Sequence, residues 1–363
     1  MRQVLIGLLH DFLISWPFAA PAQRCRMPVV GASTRRSSVL HSLCVAAVGA
    51  TVLMTPRLAS AQDPIEIVNF QSLTFPGSQF IPPFMAAPED GTPATIFGVL
   101  RLPEGTGRAP AVVITHGCSG PTGAETYWAG SLRQLGIATF VVNSFAGRGI
   151  SRVCSGPHTI SAASMLTDVF RARDLLAAHP RIDPKRIVVM GFSFGGRTAL
   201  WASQLRFQQR YGPGSSRFAA HLVFYPTSCH IRLADEDRVG DAPIRIFHGA
   251  ADDATNIGPC REYVARLRNA GRDVALFEYA GAKHWFDNAD LANRQTATGV
   301  ANFSNCVFLE RDDRIIDVTT GELANMKSAC VVSEGTFGYN SEARQQAAAD
   351  VQNFLRPLLQ VQQ

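Results

Sequence analysis

Between residues 95 and 279 the chain repeats one pattern: a short run that is apolar almost throughout, then a stretch in which apolar residues recur at helical spacing. The runs are Thr95 to Leu102, Ala111 to Thr115, Ala138 to Val142, Arg186 to Met190, Ala219 to Tyr225, Ile244 to Phe247 and Val274 to Tyr279. Their length and β-branched content predict strands. Helical patterns cover Trp128 to Leu135, Ala162 to Ala178, Arg197 to Tyr211 and Arg261 to Asn269; in the second, Met165, Leu166, Val169 and Leu176 share one face. Strands that are apolar throughout and separated by helices predict an α/β doubly wound fold, a mostly parallel sheet with helices on both faces. Residues 341–360 read as a closing helix, with Ala347, Val351, Phe354 and Leu358 at helical spacing. Residues 287–340 break the alternation and are expected to form an irregular insertion in the single domain 62–363.

The first 61 residues read as a leader. Arg35-Arg36 precedes an apolar stretch from Val39 to Met54, and Ala59-Ser60-Ala61 fits an A-x-A cleavage site. The paired arginines suggest the twin-arginine route, although Ser38 stands where that motif usually carries an apolar residue; Met27 is an alternative start. Cys44 follows Leu43 rather than a small residue, which argues against lipid anchoring. The expected location is periplasmic or secreted. Charge supports the same division: of 34 basic and 29 acidic residues the leader takes six and one, which leaves 28 of each. A mature chain so close to neutral has no basic stripe for nucleic acid.

Chemistry enters at Gly191-Phe192-Ser193-Phe194-Gly195. The pentad fits G-x-S-x-G, follows a predicted strand and precedes a predicted helix, the setting of a nucleophile elbow. A serine hydroxyl needs a base and an orienting acid, expected downstream in the order acid, then histidine. The strand Ile244 to Phe247 runs into His248-Gly249-Ala250-Ala251-Asp252-Asp253, and the next runs into Gly281-Ala282-Lys283-His284-Trp285. Both turns lie past strand C-termini, where open α/β sheets build their sites. His284 is the expected base and Asp252 the expected acid, favoured by G-x-x-D spacing, with the adjacent Asp253 as the alternative. His248 is read as structural.

For the oxyanion, the run Val112 to Thr115 leads into His116-Gly117-Cys118, so the expected donors are the backbone N–H groups of Cys118 and Phe194. His116 is read as a loop-stabilising histidine. Arg148, in Phe145-Ala146-Gly147-Arg148-Gly149, is a candidate substrate contact or a loop-solvating residue. Asp235-Glu236-Asp237 reads as a solvated turn, and neither H-E-x-x-H nor paired C-x-x-C is present to hold a metal.

Together "THGCSG", "NSFAGRG", "GFSFGG", "FHGAADDATNIGPCREY" and "GAKHWFD" resemble the dienelactone hydrolase family of α/β-hydrolases, over most of Ala109 to Phe286. The resemblance implies hydrolysis of small-molecule esters or lactones without a metal or organic cofactor. It departs at the nucleophile, where the family usually carries cysteine and this chain has Ser193; serine points to more general carboxylic-ester hydrolysis. A serine peptidase or acyltransferase on the same triad, and a non-catalytic binding protein of hydrolase fold, stay open. Oligomeric state is not legible.

Past the leader stand Cys118, Cys154, Cys229, Cys260, Cys306 and Cys330, an even set in a chain read as exported. Several pairings are open to six cysteines. The predicted topology brings Cys118 near Cys154, Cys229 near Cys260, and lets Cys306 and Cys330 bracket the irregular region, so disulfides pairing in chain order are expected.

Overall fold

Strands form where the apolar runs are densest. A computed structural model describes residues 65–76, 88–154, 160–213, 217–292, 295–325 and 327–361; the expected leader lies outside them. In chain order the elements are β1 (Ile65–Thr74), β2 (Thr92–Arg101), β3 (Ala109–Thr115), α1 (Gly123–Gln134), β4 (Ala138–Asn143), α2 (Ala162–Ala178), β5 (Ile182–Phe192), α3 (Phe194–Trp201) and α4 (Leu205–Tyr211). They continue with β6 (His221–Phe224), β7 (Ile231–Arg232), β8 (Ile244–Gly249), α5 (Gly258–Asn269), β9 (Val274–Tyr279), β10 (Gln295–Asn302), β11 (Phe308–Arg311), β12 (Arg314–Asp317), β13 (Val332–Phe337) and α6 (Ser341–Leu359).

The main sheet runs β1-β2-β4-β3-β5-β6-β8-β9. Pairs from β4 to β9 are parallel, while β1–β2 and β2–β4 are antiparallel. Alternate residues of one strand serve two cores. Ala111 and Val113 of β3 pack with Val169 and Phe170 of α2 and Leu200 of α3, whereas Val112 and Ile114 pack with Trp128 and Leu132 of α1 and Val351 and Leu355 of α6. Burial on both faces is why the strand is apolar from Ala109 to Ile114. The mostly parallel sheet with helices on both sides is the α/β doubly wound architecture that the sequence pattern predicts, and fits the α/β-hydrolase fold that the resemblance implies.

Three segments depart from the pattern. The expected helix over Arg197 to Tyr211 is two helices, because Gln204 pairs with Val239 and the Leu205 N–H donates to the Arg238 carbonyl at 2.9 Å, drawing the chain out of helical hydrogen bonding. Residues 287–340 are not irregular: β10 pairs antiparallel with β13, and β12-β11-β7 form a second small sheet. Asp235-Glu236-Asp237 is not a solvated turn either. Glu236 is buried and its carboxylate is held by Arg266.

Disulfides join Cys118 to Cys154, Cys229 to Cys260 and Cys306 to Cys330, with Cα–Cα distances of 4.9, 4.9 and 5.1 Å. Among the described residues no helix is long and apolar enough to cross a membrane.

Candidate active site

The corner between β5 and α3 is tight because two glycines let backbones meet. A Cβ on Gly191 would stand 2.1 Å from the Gly195 carbonyl oxygen, and one on Gly195 would stand 2.3 Å from that of Thr115. Between them Ser193 adopts φ 53° and ψ −109°, a state of order 1–3 kcal/mol above ordinary backbone for a residue with a side chain. Its N–H is tied to the Phe224 carbonyl at 2.9 Å, which helps hold that geometry. Tyr225 and Trp285 also have φ in the left-handed region, so three of the six such non-glycine residues among those described gather here. Backbone strain concentrated this way is typical of functional sites.

Ser193, His284 and Asp252 form one line of contacts. The Ser193 Oγ lies 2.9 Å from His284 Nε2, and His284 Nδ1 lies 2.8 Å from Asp252 Oδ2. All three are buried. Burial pushes the Asp252 carboxyl up, but the facing His284, His248 and the Thr255 N–H outweigh it and hold Asp252 below the usual carboxylate range. An ionised Asp252 requires the proton on Nδ1, which leaves the Nε2 lone pair facing the serine.

Asp252 is itself fixed by a turn: its Oδ1 accepts from the N–H groups of Ala254 and Thr255 at 3.0 and 2.8 Å, and its Oδ2 accepts from the Thr255 hydroxyl at 2.9 Å. Thr255 is a contributor that sequence reasoning missed; its signal is a hydroxyl residue three places after the acid, the spacing of a side-chain-to-backbone turn. Asp253 points elsewhere. Its carboxylate accepts from the N–H and hydroxyl of Thr336, both at 2.7 Å, and from Lys283 Nζ at 3.1 Å. His248 stands 3.9 Å from Asp252, beyond hydrogen bonding, and burial lowers its pKa.

A second missed group stands behind the histidine. The Tyr225 ring lies 4.8 Å from the His284 ring at 63°, and the Tyr225 hydroxyl donates to Asp287 Oδ1 at 2.6 Å while Trp128 Nε1 donates to Oδ2 at 2.7 Å. Burial raises the Asp287 pKa, opposed by those two hydrogen bonds.

The glycine loop after β3 borders the same space. A Cβ on Gly117 would lie 3.7 Å from Ser193 Cβ and 3.4 Å from Trp285 Cζ2. Phe194 opens α3, so its N–H has no intrahelical acceptor. The Cys118 carbonyl accepts from the Val153 N–H at 2.7 Å, and the disulfide to Cys154 fixes the other side of that residue.

A family model described as the dienelactone hydrolase family matches residues 96–359. The chain belongs to the dienelactone hydrolase family. No curated protein matches it by sequence. Among solved structures it is similar to a dienelactone hydrolase-like promiscuous phosphotriesterase from metagenomic libraries, at 15% identity over 80% of this chain and 98% of that one, TM-score 0.49. It is also similar to esterase 2 of the planctomycete Thermogutta terrifontis, at 21% identity over 53% of this chain and 79% of that one, TM-score 0.42.

Within this dienelactone hydrolase-family fold, two residues near the site serve the scaffold. His116 is fully buried, and burial drags its imidazole down to about 4, so it is neutral; Nδ1 donates to the Gly117 carbonyl at 2.7 Å and Nε2 accepts the Ser144 N–H at 3.2 Å. Arg148, read as either a substrate contact or a loop-solvating residue, is instead a buried ion-pair partner. Its side chain is 3% exposed, pairs with both oxygens of Asp168 at 2.8 Å, and donates to Thr74 Oγ1 and to the Leu73 and Ser144 carbonyls. A guanidinium committed to those five contacts has no donor left for a ligand.

A cavity of about 140 Å³ has Trp285 and Phe337, the two ring neighbours of His284, and Cys154 in its walls and Arg152 as its charged member; Ser193, His284 and Asp252 do not line it. A larger cavity of about 590 Å³, lined by Phe75, Phe207 and Tyr211 among others, touches none of the triad loops, so size alone does not locate the chemistry. Among the described residues no group of three or more His, Cys, Asp or Glu is arranged to hold a metal ion.

Proposed function

We propose that the protein is an exported serine hydrolase that cleaves small-molecule carboxylic esters or lactones through an acyl-enzyme. The observation that carries this reading is the His284 imidazole, bridging Ser193 Oγ at 2.9 Å and Asp252 at 2.8 Å. Ser193 Oγ attacks the carbonyl carbon as its proton passes to His284 Nε2, and Asp252 stabilises the resulting imidazolium. Negative charge on the former carbonyl oxygen is met by the N–H groups of Cys118 and Phe194 and by the N-terminus of α3. The alkoxide leaves with the proton from His284. Water then attacks the acyl carbonyl, gives a proton to Nε2, and the acid departs as Ser193 recovers it.

Export is supported by three disulfides, which persist in oxidising compartments, together with the leader pattern before Gln62.

The test uses the purified mature chain with p-nitrophenyl acetate and a fluorophosphonate probe. The expected result is hydrolysis with one label per chain on the peptide holding Ser193, and a loss of about three or more powers of ten in kcat for Ser193→Ala. Near-wild-type turnover in that variant would falsify the assignment.

A further inference from the structure

The strands of residues 295–337 lie against the catalytic loops. The Gly338 N–H donates to the His284 carbonyl at 3.1 Å, and Phe337 pairs with His284 as a parallel bridge. The Phe337 ring then stands 5.3 Å from the His284 ring at 85° and 5.8 Å from the Trp285 ring. An apolar side chain from outside the main sheet thus touches the base of the proposed triad.

What holds Phe337 there is the residue next to the triad acid. The Asp253 carboxylate takes two hydrogen bonds from Thr336, and its carbonyl accepts from Asn302 Nδ2 at 2.7 Å and Ser304 Oγ at 3.2 Å. Asn302 Nδ2 also donates to the Glu334 carbonyl at 2.7 Å, tying β10 to β13. A Cβ on Gly335 would stand 2.8 Å from Ala254 Cβ, so β13 lies directly on the acid turn. These contacts fix a strand at the site, more than the solubility of a surface loop requires.

Phe337, Ala297 and Val300 line the 140 Å³ cavity together with Trp285, Leu291 and Cys154. Drug-sized ligands occupy pockets of about 300 Å³ or more. At under half that volume, the cavity suits a short acyl chain better than a long one.

We propose that the β10–β13 segment limits acyl-chain length: Phe337, held against His284 by the Asp253–Thr336 contacts, narrows the space next to the proposed base against long acyl groups. The inference rests on the esterase reading above and names its substrate class. Phe337 is the specificity-determining residue, and Asp253 and Thr336 are positioning residues that act through it.

The experiment measures kcat/KM on p-nitrophenyl acetate, butyrate and octanoate, with active sites counted by fluorophosphonate titration so that misfolded protein does not enter the rates. Wild type is expected to prefer acetate and butyrate over octanoate. In Phe337→Ala the octanoate-to-acetate ratio should rise at least tenfold, the gain from about two further buried methylenes. Thr336→Val should move the ratio the same way by about threefold. Val300→Phe, which fills the cavity from β10, should lower the butyrate-to-acetate ratio. Titrated, active protein whose ratios stay within about twofold of wild type in both Phe337→Ala and Val300→Phe overturns this proposal and leaves the esterase reading standing. Wild type that neither labels at Ser193 nor cleaves any of the three esters takes both down.

Discussion

At the scale of single residues, the neighbouring carboxylates Asp252 and Asp253 do different work. One stands 2.8 Å from His284 Nδ1; the other receives Thr336 and Lys283. Asp252→Asn should lower kcat by about three to four powers of ten, since an amide favours the wrong imidazole tautomer. Asp253→Asn should leave most of kcat and act on the insertion instead. Equal losses in single-turnover assays of the two variants would contradict the division. Arg148 is separable in the same way. Removing a fully buried partner strands the Asp168 charge, so Arg148→Ala should cost about 3–5 kcal/mol in urea unfolding while KM per titrated site is unchanged. A raised KM with normal stability would restore it as a substrate contact. The contrast between these residues marks what a sequence can carry. Ser193 is legible because glycines at 191 and 195 answer a local steric demand, and the order Ser, Asp, His places the rest. Arg148 was not, because its partner Asp168 lies on α2 and nothing in "FAGRG" points there.

At the scale of elements, the strands of the main sheet were legible because both their faces are buried, so hydrophobicity alone outlines them. The strands of residues 295–337 were hidden for the converse reason. β10 and β13, Gln295–Asn302 and Val332–Phe337, are built largely of small and polar residues, and the β11–β12 hairpin turns on Asp312-Asp313, both with φ in the left-handed region. That turn is of the kind better signalled by Asn-Gly. A segment with so little core of its own depends on cross-links. Cys306–Cys330 closes 24 residues of sequence separation, worth about 3 kcal/mol in the loop-entropy model. Replacing both cysteines by serine should therefore lower the melting temperature or expose residues 295–337 to proteolysis ahead of the main sheet. Unchanged stability together with unchanged proteolysis would show that the small strands are held by Asp253, Asn302 and Ser304 without the disulfide.

At the scale of the whole molecule, the parallel sheet is closed by burying polar groups that must stay neutral, and this sets how the protein meets acid. Burial drags His116 and His221 each down to about 4, and lowers His248 as well. His116 joins the loops after β3 and β4, His221 Nδ1 donates to the Ala199 carbonyl at 2.9 Å between β6 and α3, and His248 sits at the end of β8. All three pKa values are depressed below the unfolded value of about 6.5. Their stabilisation is thus fully present above pH 6.5 and is lost as pH falls towards the folded values. In that window the unfolded chain binds protons that the folded chain does not, and each histidine contributes a slope of up to about 1.4 kcal/mol per pH unit. Asp252, depressed for an acid, adds a loss at lower pH still, below the ordinary carboxylate range. Urea unfolding at pH 7.5, 6.5, 5.5 and 4.5 should accordingly show a plateau and then a fall below pH 6, to which His230, lowered by burial to about 3, adds, while Glu125 and Asp287, whose carboxyl pKa values burial raises, oppose it by binding protons in the fold. Substituting His221 by Gln, which keeps a donor for the Ala199 carbonyl, should remove about one proton from the uptake on unfolding. A pH-independent unfolding free energy between 7.5 and 4.5 would mean that these imidazoles are charged in the fold, and with that the neutral hydrogen bonds joining the loops of the site to the sheet would have to be reassigned.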